Sequence, residues 1–561
     1  MDCFSNSEEY LGSWNTIPYI ILLVIFRYLS AKDVLNAGLT CKQWNAISLD
    51  ETLWKHLFFR RFEITTNLPI APGKDSWYEE YKRCFYHTPR ICSEVLYEHK
   101  HEVLHVSFSH DGTMFATSSK DGFIVVWDSD FPVSLKYKYD MKEFSWKCTQ
   151  FSQFNKSDTL LLVSGLHFGT PNSTSGEIAV FSLQDGFQLQ CRVGNKPYDI
   201  FGTWYSDRHL LSGDLYWVAH LVSTTGLWIN KASQETSSEQ TPILNQLFRF
   251  YNTNASSVRT VMVACPKLSN DKHNFEKDNV KDGVELELNG DSDNDDDDLA
   301  RQPEKLLLFT TGSKTYTPHQ IGFKRIKKVR FPKVLQAGPS VKERIAKHKE
   351  RLSLGSQIQP GPGQQTCDDI DHVIDLEGHI IGMALSPDQR YLYVNSRPWP
   401  KGYVITNPLE PPTISQDIEI HVIDLLDFSI KEQRLKSHKA YTPNHICFFI
   451  FLDVSEEYVA SGAEDKHGYI WDRYYGTCLA KLPHSDVVNS VAFNPVDQGM
   501  LVSTSDDYEI KVWRSASFLN RTVGHTERSK LPYCIEPIER SKVMYHRTFE
   551  SNCQYYLHKD H

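Results

Sequence analysis

The sequence predicts a small all-α module followed by a closed all-β ring of repeated four-stranded units. The chain has 561 residues, more than the roughly 250–300 residues that a single hydrophobic core serves, which indicates several domains or a repeat architecture. From about His99 onward, short runs of alternating apolar and polar residues separated by turn residues follow the helical spacing of the first sixty residues. An aspartate then recurs six residues before a tryptophan at Asp121, Asp465 and Asp507.

Composition and charge exclude several classes of protein. A hydrophobic fraction of 40%, with 12 Trp, 27 Tyr and 30 Phe, excludes wholesale disorder and collagen-like or coiled-coil chains. The 12 cysteines are scattered without a C-x-x-C pair, which indicates an intracellular protein without a disulfide framework or zinc ribbon. The net charge of −10 conceals an acidic stretch at 271–298 and a basic stretch at 324–351 that cancel each other. No globular part is basic enough to make nucleic acid the main ligand.

The helical module is predicted from cap residues in the stretch 16–62. Ser30 and Thr40 each precede a residue at capping-box spacing, and Asp50 offers a further N-cap. The apolar run 17–26 covers more than one helix face, so part of it is expected to be buried by another protein or domain. A helical hairpin that only packs on the rest of the same chain is the open alternative.

The same apolar run does not predict a membrane segment. It is interrupted by Pro18 and ended by Arg27, well short of the roughly 20 apolar residues that a membrane helix needs. The residues before it are acidic, whereas a signal peptide begins with basic residues. We therefore expect no membrane insertion.

The Asp-to-Trp repeats carry a histidine 26 to 33 residues before each tryptophan, which is the spacing of WD repeats in a β-propeller. Each repeat is expected to bury a structural tetrad of His, Ser or Thr, Asp and Trp, in which every polar group finds a partner. The predicted tetrads are His101, Ser119, Asp121 and Trp127 in the first of these repeats, an incomplete set of His438, Asp465 and Trp471 in the second, and His484, Ser505, Asp507 and Trp513 in the third.

Seven repeat units are expected, with eight left open. The predicted units are 99–128, 147–190, 197–230, 243–326, 370–430, 438–480 and 484–513. Because a propeller hides its sheet edges by closing the ring, the last strand should pair with a strand near Ser93 to Tyr97.

No motif predicts catalysis. His101-Glu102-Val103-Leu104-His105 matches H-E-x-x-H, but that zinc motif requires a helix, whereas this stretch continues as a strand that would hold the two histidines about 13 Å apart. Phosphate-binding loops, dinucleotide fingerprints and nucleophile elbows do not occur. We expect no metal, no cofactor and no catalytic residue.

The module resembles an F-box, judging from the series Ile17-Pro18, Ile21-Leu22, Ile25-Phe26, Tyr28-Leu29, Asp33-Val34, Ala37, Cys41, Trp44, Asp50 and Leu53-Trp54. One departure is Ile20, which stands where the family often has an acidic residue. The resemblance implies docking on a Skp-type adaptor through Ile17, Pro18, Ile21, Leu22, Ile25, Phe26, Leu29, Val34 and Trp44.

With its WD repeats, nearly the whole chain resembles the F-box/WD-repeat family. The implied domains are a tail (1–13), an F-box (14–62), a helical linker (63–92), a WD40 propeller (93–515) and a second tail (516–561). Charged insertions near 266–304 and 331–369 are expected to be disordered, and Ser292 lies in a plausible acidophilic phosphorylation site.

This resemblance implies a substrate receptor of a multi-subunit ubiquitin ligase rather than an enzyme. The F-box would bind the adaptor, and through it a cullin and a RING subunit, while the propeller face would bind a protein targeted for ubiquitination and degradation. A non-catalytic scaffold is the alternative. A cullin-4 adaptor is also left open, since Trp471-Asp472-Arg473 approximates the Trp-Asp-x-Arg motif but places Arg one position early. The expected location is the cytoplasm, with the nucleus left open.

Overall fold

The computed structural model describes residues 17–64, 67–167, 175–232, 243–266, 305–327 and 367–522, together with a two-residue strand at 533–534. An α-helical module precedes the propeller, and a further helix follows its last repeat. The helices are α1 (Tyr19–Phe26), α2 (Ala31–Gly38), α3 (Lys42–Ser48), α4 (Glu51–Arg61), α5 (Trp77–Lys82), which continues as a π-helical turn (Arg83–His87), and α6 (Ala516–Thr522).

The described strands form seven antiparallel sheets arranged as the blades of a propeller. Blade 1 contains β2 (Val103–Phe108), β3 (Met114–Ser119), β4 (Phe123–Asp128) and β5 (Ser134–Asp140). Blade 2 contains β6 (Trp146–Phe154), β7 (Leu160–His167), β8 (Gly176–Ser182) and β9 (Leu189–Asn195). Blade 3 contains β10 (Thr203–Ser206), β11 (His209–Ala219), β12 (Val222–Lys231) and β13 (Ile243–Asn252). Blades 4 and 5 contain β14 (Arg259–Ala264), β15 (Lys305–Thr311), β16 (Gln320–Ile326) and β17 (His372–Asp375); and β18 (Gly378–Leu385), β19 (Tyr391–Pro398) and β20 (Glu419–Asp424). Blades 6 and 7 contain β21 (Leu452–Val454), β22 (Tyr458–Ser461), β23 (His467–Asp472) and β24 (Cys478–Pro483); and β25 (Val488–Phe493), β26 (Met500–Ser505), β27 (Ile510–Ser515), β1 (Pro89–Leu96) and β28 (Tyr533–Cys534).

Strand β1 closes the ring. It pairs antiparallel with β27 along its whole length, so the last blade takes one strand from the beginning of the propeller. The prediction of a small all-α module followed by a seven-bladed all-β propeller is confirmed. The propeller begins at Pro89, however, rather than at residue 93, because the linker helix ends at His87 and the chain enters the sheet at once.

Two other predicted boundaries differ from the structure. Strand β13 (Ile243–Asn252) belongs to blade 3, where it pairs with β12, and not to the fourth unit. The predicted tail after residue 515 instead contains α6 and β28, which pairs with β1 at Ile91 and Cys92. The charged insertions predicted near 266–304 and 331–369 fall almost entirely outside the described residues, which omit 267–304 and 328–366, and Ser292 lies outside them as well.

The buried tetrads exist, but with partly different members. In the last blade His484 hydrogen-bonds Asp507 through Nδ1 at 2.9 Å and Ser503 Oγ through Nε2 at 2.7 Å. The indole N–H of Trp513 donates to the same Ser503 Oγ at 2.7 Å. The predicted Ser505 is therefore wrong, because at the end of its strand its hydroxyl accepts from the Asp507 amide instead.

The first blade repeats this arrangement around His99. Its ring nitrogens contact Asp121 and Thr117, both at 2.9 Å, and Trp127 donates to the Thr117 hydroxyl at 3.1 Å. The prediction of His101 and Ser119 as tetrad members is wrong. His101 is exposed in the loop, and the hydroxyl of Ser119 donates to the carbonyls of His101 and Glu102.

Blade 6 contains no tetrad. The Nε2 atom of His438 lies 3.3 Å from the side-chain oxygen of Asn395, and Trp471 donates to the carbonyl of Lys436. Asp465 accepts from the Tyr469 hydroxyl at 2.6 Å rather than from a histidine. The prediction that His438, Asp465 and Trp471 form a partial tetrad is therefore wrong, since the three side chains hydrogen-bond different partners, although the rings of His438 and Trp471 pack 4.9 Å apart.

Replacing Asp507 by asparagine is expected to lower the free energy of unfolding by about 1–3 kcal/mol, because a neutral amide oxygen is a weaker partner for the His484 ring than the carboxylate. Burial opposes ionisation, but hydrogen bonds from His484 and two backbone amides lower the pKa of the Asp507 carboxyl to about 2. Because this pKa lies below the ordinary value of about 3.9, the stabilisation is complete above about pH 5 and is lost as the pH falls towards 2. Thermal unfolding of the wild type and of D507N across this range measures the effect. Asp486→Asn, at an exposed neighbouring position, should keep the wild-type acid sensitivity, and equal profiles for all three proteins would contradict the linkage.

Candidate functional site: an apolar helix face and a propeller

The helical module is assembled by hydrogen bonds that fix α1 against the other helices. Ser30 caps α2 by accepting from the Asp33 amide, and Asp50 caps α4 by accepting from the amides of Thr52 and Leu53. The hydroxyl of Tyr19 on α1 donates to Asp50 at 2.6 Å, and this hydrogen bond, together with burial, raises the pKa of Tyr19 to about 12. The hydrogen bond from Tyr19 therefore ties the first turn of α1 to the start of α4.

The second predicted capping box does not form. Cys41, not Thr40, is the N-cap of α3, and it makes no side-chain cap. The hydroxyl of Thr40 donates to the carbonyl of Ala37, at the end of α2. The side-chain amide of Gln43 instead donates to the carbonyl of Ile17 at 3.0 Å. This hydrogen bond ties α3 to the segment just before α1.

One face of α1 is apolar and exposed to solvent. Ile21 is 52% exposed and Val24 is 45% exposed, and a run of large apolar side chains surrounds them. We call this surface the α1 face; it comprises Pro18, Tyr19, Ile20, Ile21, Val24, Ile25 and Tyr28. A contiguous apolar surface on so small a module is typical of a protein-binding site.

Three predicted adaptor-binding residues do not belong to this surface. Leu22, Phe26 and Val34 are at most 1% exposed and form the core of the module, so their prediction as contact residues is wrong. Leu22 and Phe26 lie one helical turn apart on the side of α1 opposite the solvent. Trp44 is half-buried with its ring 5.5 Å from that of Phe26.

The remaining predicted positions divide into two groups. Pro18, Ile21 and Ile25 are exposed on the α1 face, whereas Ile17 and Leu29 are partly buried and pack against the core. Sequence reasoning missed Tyr19, Ile20, Val24 and Tyr28 as surface residues. Their exposure could not be read from periodicity, because the segment is apolar around its whole circumference.

The module is joined to blade 6 by a shared apolar core. Tyr475, in the turn after β23, belongs to the same buried cluster as the helices, and its ring centre lies 4.9 Å from that of Phe58 on α4. Its hydroxyl accepts from the amide of Ala71 at 2.9 Å, and the hydroxyl of Thr477 donates to the carbonyl of Phe62. The module is thus packed on the propeller by residues from α4 and the linker, while α1 remains exposed.

A buried ion cluster centred on Arg83 reinforces this junction. Its guanidinium contacts Glu80 at 2.9 Å, Asp472 at 2.6 Å and Glu457 at 3.1 Å. Burial disfavours the charge, but the hydrogen bond to Glu80 and the nearby carboxylates raise the pKa of Arg83 above its usual value. Lys74 adds a more exposed ion pair to Glu457.

Asp472 of this cluster also belongs to Trp471-Asp472-Arg473, the segment that approximates a cullin-4 adaptor motif. The carboxylate of Asp472 is almost completely buried beneath Arg83, and Arg473 donates from Nε to the hydroxyl of Tyr393 at 3.0 Å. Both polar side chains of Trp471-Asp472-Arg473 therefore make intramolecular contacts.

The module and the tetrads lie at opposite ends of the propeller. Strand β1 runs from the module at Pro89 to the loop that contains His99. Strands alternate in direction, so the connections after the second and fourth strands of each blade share the end marked by His99 and Asp121. We call this end the tetrad face and the opposite end the module face.

Aromatic rings fill the centre of the propeller. The ring of His105 lies 4.6 Å from that of Phe151 and 4.4 Å from that of Phe451, and Phe201 and Phe449 extend the cluster. Burial lowers the pKa of His105 to about 3. The second histidine of the H-E-x-x-H match therefore lies on a strand among aromatic rings, whereas His101 is exposed in a loop.

Within the described ranges, the one cluster of three possible metal ligands is His484, Asp507 and Glu509, which overlaps a tetrad.

Comparison with known families gives the same two parts. An F-box-like family model matches residues 14–60, and the model of the WD domain, G-beta repeat, matches residues 90–128 and 476–514. An F-box module followed by a WD-repeat propeller defines the class of F-box/WD-repeat proteins. No helix of the described residues is long and apolar enough to cross a membrane.

Similarity to individual proteins extends over nearly the whole chain. F-box/WD repeat-containing protein 5 of Mus musculus is 43% identical over 562 residues, covering 90% of this chain and 94% of the mouse protein. The Homo sapiens protein of the same name is 43% identical over 559 residues, covering 90% and 95%. A WD repeat-containing protein 26 homolog of Arabidopsis thaliana is 31% identical over 163 residues, 29% of this chain and 23% of that protein. The chain belongs to the F-box/WD-repeat family, alongside F-box/WD repeat-containing protein 5.

Proposed function

We propose that the protein is the substrate receptor of a ligase built from a Skp-type adaptor, a cullin and a RING subunit. The observation that carries the proposal is the exposed α1 face of a module that matches the F-box. Burying this surface against an adaptor would remove its apolar side chains from water, which is the main driving force of such interfaces.

In this role the protein itself performs no covalent step. The adaptor-bound module and the target-bound propeller hold a target lysine near the ubiquitin-charged E2, and catalysis follows from the raised effective concentration. A cytoplasmic location, with the nucleus left open, and target degradation are part of the same proposal.

The scaffold alternative assigns the module to intramolecular packing only. Among the described residues, that packing uses α4, the linker and Tyr475, and leaves the α1 face uncovered. Intramolecular packing alone therefore gives no reason for the apolar residues on this face.

Reconstitution with purified subunits tests the proposal. We expect the full chain to co-elute with a Skp-type adaptor and then with the cullin and RING subunits in size-exclusion chromatography. Addition of E1, E2, ubiquitin and ATP should then modify the chain itself or a bound protein. Separate elution of the chain and the adaptor would disprove the receptor role and favour the scaffold.

A further inference from the structure

We propose that the target binds through an uncharged, apolar segment in a preformed cleft on the tetrad face of blade 5. This inference rests on the proposed receptor function and names the part of the propeller that performs it. The cleft lies between two connections: residues 399–418, which join β19 to β20, and residues 440–451, which lead to β21.

The cleft consists of two adjoining depressions of about 410 and about 650 Å³. Thr413 and Ile414 line both of them. The walls of the first depression include the apolar side chains of Leu409, Pro411, Ile414, Tyr441 and Pro443. Those of the second include Trp399, Ile414 and two prolines beside the charged residues Asp417, Glu419, Lys436 and Lys439. A concave surface with such walls is suited to hold large apolar side chains of a ligand.

Apolar side chains also stand exposed around the cleft. Tyr403, Val404 and Leu409 project from the first connection, and Tyr441 and Ile446 from the second, each about half exposed or more. Their concentration in two connections at one end of the propeller is typical of a protein-binding surface rather than of scattered surface residues.

The two connections are held rigidly by Arg397, which lies beneath the cleft. Its Nε donates to the carbonyl of Ser415 at 2.8 Å and its Nη2 to the carbonyl of Ala440 at 3.1 Å. Glu464 accepts from the amides of Tyr441 and Thr442 at 2.6 and 2.8 Å. The cleft is therefore formed before any ligand arrives, so binding costs little ordering of these loops.

The charges around the cleft determine the chemistry of the ligand. Glu419 is paired with Arg434 at 2.8 Å and with Lys436 at 2.6 Å, and Lys439 is paired with Asp417. Arg397 is buried against carbonyls. A phosphate or carboxylate on the target would compete with the carboxylates that already pair with Lys436 and Lys439, whereas an uncharged segment with an aromatic or aliphatic side chain leaves these pairs unchanged.

A random-peptide display library tests the proposal on the full chain bound to its adaptor. We expect it to enrich unphosphorylated peptides with an aromatic or aliphatic anchor and little net charge. Leu409→Asp and Tyr441→Asp should each weaken the best peptide about tenfold or more. The affinity should change little between about 50 and about 300 mM salt, since the anchor is uncharged and binds without displacing the ion pairs of the cleft.

Val496→Asp is the matched control, because Val496 is also an exposed apolar residue but lies in the β25–β26 turn on the module face. Its affinity should stay within about twofold of the wild type. The same library phosphorylated by kinases forms a second arm. Enrichment only after phosphorylation, a steep salt dependence, equal weakening by V496D, or no enrichment would each overturn the proposal. Adaptor binding, measured on the same samples, separates this result from failure of the receptor function.

Discussion

Replacing Ile21 and Val24 together by aspartate is expected to reduce adaptor affinity by at least about 100-fold. Both side chains are about half exposed on the α1 face, so two carboxylates there would have to be desolvated in an apolar interface without a partner. Stability should change little, because neither residue belongs to the core of the module. Titration of the purified variant with adaptor by calorimetry, with thermal unfolding of the same sample, measures both quantities.

Two further variants serve as controls for this prediction. Leu22→Asp also introduces a carboxylate into α1, but at a fully buried position, and should unfold the module. Val404→Asp, at the most exposed large apolar position of the blade 5 connection, should leave adaptor affinity unchanged. Wild-type adaptor affinity of the Ile21/Val24 double variant would show that the α1 face is not the contact surface.

Replacing Arg83 by methionine is expected to destabilise the junction between module and propeller by about 3–5 kcal/mol. The substitution keeps much of the side-chain volume but removes the cation that contacts both Glu80 and Asp472, two almost fully buried carboxylates. Hydrogen exchange should accelerate first in α5 and in the turn around Tyr475, where the module packs on blade 6. Thermal unfolding and exchange mass spectrometry measure the effect.

Lys74→Met is the matched control for this prediction. Lys74 pairs with Glu457 in the same junction, but both side chains are about one third exposed, and pairs of this kind contribute at most about 1 kcal/mol. Equal effects of the R83M and K74M variants would show that the buried cluster does not hold the junction together.

The features predicted from the sequence are those encoded over short distances. The cap residues Ser30 and Asp50 and the recurring aspartate six residues before tryptophan indicated the module and the blades. The tetrads were located only to within two residues. Hydroxyl residues are adjacent in Thr117-Ser118-Ser119, and spacing alone does not tell which of them contacts the tryptophan.

The parts that could not be predicted depend on contacts between distant segments. The exposed face of α1 is decided by where α3 and α4 pack, since the segment itself is apolar on all sides. Arg83 and Asp472 are 389 residues apart in the chain, and nothing in the local sequence of either pairs them. The blade 5 cleft likewise requires Arg397 to reach two connections that follow it.

Ring closure by β1 also determines when the propeller can complete its folding during synthesis. Ser93 of β1 hydrogen-bonds Val512 of β27, 419 residues later in the chain. At a synthesis rate of about 5–20 residues per second, β1 waits about 20–80 s on the ribosome before its partner strand exists. Throughout that interval β1 has no partner strand, so the nascent chain is most exposed to aggregation, and most dependent on chaperones, until its last blade has been made.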